Sequence, residues 1–264
     1  MISCGTVCYM EYSLERAFEG IAKADYEYVE LLSIPNWIAA EHVNPEMGEE
    51  GIRRVGKLLD EYGLSPLSLS GHIDFLVKSP KDTKVAVEAL KKRIELASRL
   101  GCRYINTGAW TTKKQSFYET IGELVDSCKQ HDVVMGLEVG EPGLTATGRE
   151  LMELLKPINS ERVGVNYDTG NIRWLVGIEP EADLPSTLQR LVHIHVKDQV
   201  GGKGKENFPA LGDGEVDFTK VFEILKKSGF EGPCTVEIEN RGENPSRRDD
   251  EIKRCYDFIR RYLS

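Results

Sequence analysis

Eight times along the chain a short apolar run gives way to a longer amphipathic one, and that alternation is what most limits the fold. A strand followed by a helix, repeated without a break, builds a parallel sheet whose faces the helices cover. Strands are expected near 2–8, 26–32, 66–72, 103–107, 133–139, 163–168, 191–196 and 233–239. Helices are expected near 13–24, 47–62, 83–100, 116–131, 147–157, 183–189, 217–228 and 247–262. Ser13 and Thr147 stand where helix caps are wanted, and Gly63, Gly101 and Gly229 follow helix ends. Eight such units in 264 residues predict an α/β protein, a single (β/α)8 TIM barrel. An open doubly wound sheet is the alternative, but no GxGxxG loop follows the first strand. No Pro- or Ser-rich linker divides residues 1–264, so one domain is expected.

Counting strand residues in twos separates the face that meets the helices from the face that lines the barrel. In HIHVKD, residues 193–198, Ile194 and Val196 point outward while His193 and His195 point inward. The same count puts Val134, Gly136 and Glu138 inside on the fifth strand, Asn166 and Asp168 on the sixth, and Thr235, Glu237 and Glu239 on the eighth. On the third, Leu67 and Leu69 go out and Ser68, Ser70 and His72 go in. His195 lies roughly 6.6 Å nearer the C-terminal mouth than His193, at about 3.3 Å per residue. That level is shared by Glu138, Asp168 and Glu237. Three carboxylates and one imidazole, with no thiolate, suit a divalent Mn²⁺, Mg²⁺ or Co²⁺ ion. Without such a partner, four inward polar groups at one level would be costly.

His193, a layer deeper, is expected to line the core and hydrogen-bond Thr235 or Asn166, and Glu239 is a rival ligand. His72 is equally a substrate contact or a satisfied core histidine. Trp37, Trp110 and Trp174 fall just after strands, where an aromatic face can stack on a sugar or pack under a loop. The glycine-rich stretch 199–217 has the length of a loop that closes over ligand, and its Lys203 and Lys205 read as solvated.

With 43 acidic against 34 basic residues, the formal charge of −9 argues against nucleic acid or anionic membrane as partner. Six cysteines without a CxxC pair suggest reduced thiols rather than a disulfide frame. No basic leader is visible, and no apolar run approaches the roughly 18 residues of a membrane span, so a cytoplasmic protein is expected. A homo-oligomer is compatible with all of this.

LEVGEPG (137–143), NYDTGN (166–171), HIHVKD (193–198), GDGEVDF (212–218) and GPCTVEIEN (232–240) together resemble the xylose isomerase-like TIM barrel superfamily. That group contains sugar phosphate isomerases and epimerases, ketose 3-epimerases, inosose dehydratases and endonuclease IV. Carried over by position, the resemblance puts the metal ligands on Glu138, Asp168, His195 and Glu237, the set reached by counting. It also completes an H-x-x-D pattern at Asp198 and places Lys197 among substrate contacts, with Asp198 beside it at the mouth. Asn171 stands where the family often has a histidine, and Asn106 where the nuclease branch has one, which disfavours a three-metal nuclease centre.

The resemblance implies a sugar isomerase or epimerase acting on a ketose or related hydroxy-ketone through an enediolate, with Glu138 and Glu237 moving the proton. Its substrate would be a small sugar or cyclitol, contacted by His72, Asn171, Lys197 and Trp110. A metal-dependent lyase or dehydratase shares the first step, and a non-catalytic sugar-binding barrel is the third reading.

Overall fold

The computed structural model describes residues 1–37, 39, 41–73, 80–109, 114–140, 143–240 and 244–263. Eight parallel strands close into a barrel in sequence order: β1 (Ile2–Gly5), β2 (Tyr28–Leu32), β3 (Ser65–Ser70), β4 (Tyr104–Thr107), β5 (Val134–Glu138), β6 (Val163–Asp168), β7 (Leu191–Val196) and β8 (Cys234–Val236). The ring is sealed where β1 pairs with β8. Helices α1 (Leu14–Lys23), α2 (Gly48–Tyr62), α3 (Pro80–Arg99), α4 (Lys114–Gln130) and α5 (Gly148–Leu155) follow the first five strands. After β6 come α6 (Thr169–Asn171) and α7 (Pro180–Asp183); α8 (Phe218–Ser228) and α9 (Pro245–Leu263) follow β7 and β8. None of the described helices is long and apolar enough to cross a membrane.

Local chemistry sets the boundaries. Ser13 accepts a hydrogen bond from Arg16 N, and Thr147 and Glu150 form a reciprocal capping box at the start of α5. Gly63 and Gly229 end their helices in the left-handed conformation, at φ 66° and 71°. The helix expected over 183–189 is instead the short α7, opened by Pro180, and a 3-10 turn at Leu184–Ser186. Pro185 has no N–H to continue an α-helix. The sequence reading missed α6 and the π-helical turn Ile172–Val176 that extends it. β1 is also shorter than expected, because the chain turns into a 3-10 helix at Thr6–Tyr9.

Outward residues Val29, Leu31, Leu69, Ile105, Met135, Leu137, Val165, Ile194 and Val236 are wholly buried and join one cluster with the inner faces of the helices. Each large aliphatic among them contributes about 1.5–3 kcal/mol by leaving water. The inner face is different. It is filled by Ser68, Asn106, Asn166, His193 and Thr235, all 0% exposed, and the ladder sets them side by side: Glu30 against Ser68, Asn106 against Gly136, Asn166 against His193. A polar interior survives only if its members satisfy one another, and most here do. Gly136 is part of that fit, since a Cβ there would stand 2.6 Å from Asn106 Oδ1.

Candidate metal and sugar site

The C-terminal ends of β5, β6 and β7 and the residue just beyond β8 deliver Glu138, Asp168, His195 and Glu237 to one place, each at most 4% exposed. His195 is the centre. Its Nδ1 lies 3.1 Å from Glu138 Oε2 and 3.7 Å from Asp168 Oδ2. Its Nε2 lies 3.0 Å from Glu30 Oε1 and 3.6 Å from Glu237 Oε1. One ligand atom from each of Glu138, Asp168 and His195 falls within 4.8 Å of the others.

Each carboxylate is held by its own surroundings. Asp168 Oδ1 accepts the backbone N–H groups of Gly170 and Asn171, at 2.8 and 2.7 Å, which makes Asp168 the cap of α6 and leaves Oδ2 for the site. Glu138 accepts from the side-chain amides of Asn166 and Asn171, both at 2.8 Å. His72 Nε2 approaches it at 3.4 Å. The short helix after β6, invisible in the hydrophobic pattern, is thus what brings Asn171 onto Glu138.

Lys197 is buried at the same level. Its Nζ meets Glu239 at 2.8 Å, Glu237 at 3.2 Å and Asp168 at 3.3 Å, and lies 4.8 Å from the centre of the Phe208 ring. Glu239, the rival ligand, is therefore turned to the lysine. Five carboxylates surround Lys197 and His195: Asp168, Glu237 and Glu239 meet the ammonium, and Glu30 and Glu138 the imidazole, so acids outnumber bases and a further cation is accommodated. Oxygen donors with one imidazole suit a divalent ion, so the residues present fit the expected metal.

The ionisation of the site follows. Burial opposes charge on Lys197 and His195, but Asp168, Glu239 and Glu237 hold the lysine well above its ordinary value, and Glu237 and Glu30 do the same for His195. Burial also works against Glu30, yet His195, His193 and Ser68 outweigh it and hold the carboxyl down at about 2. Glu237 goes the other way: burial pushes it up to about 8, against the pull of His195 and Lys197. His193 is driven by burial down to about 3 and stays neutral, hydrogen-bonded to both Thr235 Oγ1 (2.9 Å) and Asn166 Oδ1 (2.8 Å).

A cavity of about 620 Å³ opens above these groups. His72, Asn171, Lys197, Trp37 and Trp174 all line it; Trp110 lies outside the described residues. Trp174 packs edge-on against Phe208, with ring centres 5.4 Å apart. Asp198, expected beside Lys197 at the mouth, is turned into the framework of the loop instead. It is wholly buried and accepts four backbone N–H groups, from Gln199, Gly212, Gly214 and Val216, at 2.9 to 3.1 Å. The loop 199–217 is thereby pinned at both ends, and Gln199 fastens its middle through Val200 O, Gly202 O and Lys205 O. Lys203 and Lys205 are exposed on it.

Glu30 was overlooked in the sequence. The signal was there: an acid between Val29 and Leu31, both outward, must point into the barrel.

Residues 18–262 match the model of the xylose isomerase-like TIM barrel family. The L-ribulose-5-phosphate 3-epimerase UlaE of Salmonella heidelberg (strain SL476) is 25% identical, over 96% of this chain and 84% of that protein. Among solved structures, the IOLI protein with a bound zinc atom superposes with a TM-score of 0.82 at 19% identity, covering all of this chain and 99% of that one. The D-allulose 3-epimerase of Methylomonas sp. in complex with D-allulose gives a TM-score of 0.75 at 20% identity, over 99% of this chain and 96% of that one. The chain belongs to the xylose isomerase-like TIM barrel family.

Proposed function

We propose that the chain is a divalent-metal-dependent sugar epimerase, using Mn²⁺, Mg²⁺ or Co²⁺, which inverts the carbon beside the carbonyl of a ketose. The UlaE relative and the D-allulose 3-epimerase, each of which spans nearly the whole chain, are both named sugar epimerases. The observation that carries the reading is the disposition of Glu138 and Glu237. They approach opposite ring nitrogens of the same His195, 3.1 and 3.6 Å away, and both line the cavity.

Glu138, Asp168, His195 and Glu237 would hold the ion, which when bound supplies Lewis-acid polarisation of a carbonyl and its neighbouring hydroxyl. The chain's own groups do the rest. One glutamate takes the proton from the carbon next to the carbonyl, and the other returns a proton to the opposite face. Because the reverse reaction exchanges their parts, each must serve as acid and as base. Asn171 and Asn166 orient Glu138, and Lys197 orients Glu237. Trp37 and Trp174 offer apolar walls against which the C–H faces of a sugar can lie, keeping water from the reacting carbon.

The test is solvent deuterium exchange with a panel of ketoses, inositol ketones and 3-keto sugars, each with added metal. Exchange with recovery of an epimer is expected. Loss of water from the substrate would move the enzyme to the dehydratases, and binding without exchange would make it a sugar-binding barrel. Metal content of Glu138→Gln, Asp168→Asn, His195→Ala and Glu237→Gln should fall; four variants that all keep the parent's content would sink the site.

A further inference from the structure

We infer that Glu30 is a positioning residue for His195: its carboxylate accepts the imidazole Nε2–H and so turns Nδ1 toward Glu138 and Asp168. This rests on the metal reading above and names what aims its one nitrogen ligand.

The two oxygens of Glu30 have different duties. Oε2 accepts from Ser68 Oγ at 2.6 Å and from Asn106 Nδ2 at 2.7 Å, one anchor from β3 and one from β4. Oε1 is left for His195 Nε2 at 3.0 Å. His193 also passes near Glu30, 3.3 Å from Oε2, but its own nitrogens are better met by Thr235 and Asn166. Glu237, at 3.6 Å, is too far from Nε2 to compete for its proton. With Nε2 bonded to Glu30, Nδ1 is the nitrogen that faces Glu138 and Asp168 and would hold the ion.

Glu30 cannot itself reach substrate. It is 1% exposed, and it does not line the cavity. A buried carboxylate with no catalytic contact is costly unless its charge is used. Here the charge strengthens the acceptor behind a ligand imidazole, which fixes its orientation and raises its basicity. β2 contributes nothing else to the ligand set, so this contact ties a fifth strand to it.

The experiment measures Mn²⁺ and Zn²⁺ affinity of the full chain by competition with a chelator, for the parent, Glu30→Gln and Thr235→Val. The last breaks a hydrogen bond of His193 and leaves the Glu30–His195 hydrogen bond in place. Glu30→Gln should bind metal about 10–100-fold more weakly, the usual cost of losing such an outer contact. Thr235→Val should bind like the parent even where its thermal midpoint falls as far. Independently, nitrogen-15 spectra of the Zn²⁺-loaded parent should show His195 metallated at Nδ1 and protonated at Nε2. Metal on Nε2, or a Glu30→Gln affinity equal to the parent's, overturns the inference while leaving the metal site standing. A parent that binds neither ion overturns both. If Glu30→Gln does not fold, Ser68→Ala takes its place: it removes one of the two anchors of Oε2 but keeps the charge, and should weaken binding severalfold, with unchanged affinity overturning the inference.

Discussion

Replacing Asp198 with asparagine changes one oxygen to an NH₂ and nothing in shape, so its effect isolates what the carboxylate holds. Oδ1 accepts from Gln199 N and Val216 N at 2.9 and 3.1 Å, and Oδ2 from Gly212 N and Gly214 N, both at 2.9 Å. Whichever way the amide turns, one of these pairs faces a donor. The cheaper orientation sets the NH₂ toward Gly212 and Gly214, whose part-buried N–H groups then lose their acceptor at about 1–3 kcal/mol each. For a chain of this size about 2–4 °C of melting temperature goes with each kcal/mol, so Asp198→Asn should melt on the order of 10 °C below the parent in a calorimetric scan. Asp213, on the same loop, is the control: it is half exposed and pairs with Arg254 at the surface, so Asp213→Asn should cost about 0–1 kcal/mol. Amide exchange at Gly212 and Gly214 should accelerate in Asp198→Asn alone. If Asp198 met substrate instead, the substitution would raise KM and leave the melting point in place. A midpoint within about 2 °C of the parent therefore refutes the assignment of Asp198 as the fastening of the loop.

Three further outcomes are expected. Burial holds His193 at about 3, whereas the unfolded chain takes up that proton near about 6.5, so its contribution to stability is present above about 6.5 and lost as pH falls toward 3. In urea titrations at pH 7, 6 and 5, the stability gap between parent and His193→Gln should change by up to about 1.4 kcal/mol per pH unit, and a pH-independent gap would count against a neutral buried imidazole. Gly136→Ala would press on Asn106 Oδ1 and on Asn166 Cβ, 2.6 and 3.0 Å from the added methyl. It should lose about 1–3 kcal/mol and, through Asn106, weaken metal binding, which chelator competition reads. Thr147→Ala removes the capping box of α5, whose bonds run only between Thr147 and Glu150, so a loss of about 1 kcal/mol in denaturant melts should come with unchanged metal affinity.

The barrel was legible because its evidence is local and repeated. Val29, Leu31, Met135, Leu137, Ile194 and Val196 alternate with polar residues, and a period of two fixes which set meets the helices. Glu138, Asp168, His195 and Glu237 fall out of the same count; ligand atoms of the first three lie within 4.8 Å of one another, and Glu237 stands 3.6 Å from His195. Glu30 obeys that count too; it escaped because an isolated acid in a strand draws attention only when a partner is known, and its partners are 38, 76 and 165 residues away. Asp198 shows a different limit. Its place in the H-x-x-D pattern is readable, but its role depends on N–H groups 14 to 18 residues downstream, presented by a loop with no periodicity to read. The helix after β6 is hidden for a third reason: Asp168 faces the carboxylate cluster through Oδ2 and caps the helix through Oδ1, and neither hydropathy nor spacing distinguishes those duties. Patterns in a sequence report which face a residue occupies. What a buried charge does there is decided by which distant donors arrive to meet it, so Lys197 and Asp198, adjacent in the chain, part company in the fold, one into the carboxylate cluster and the other into the framework of the loop above it.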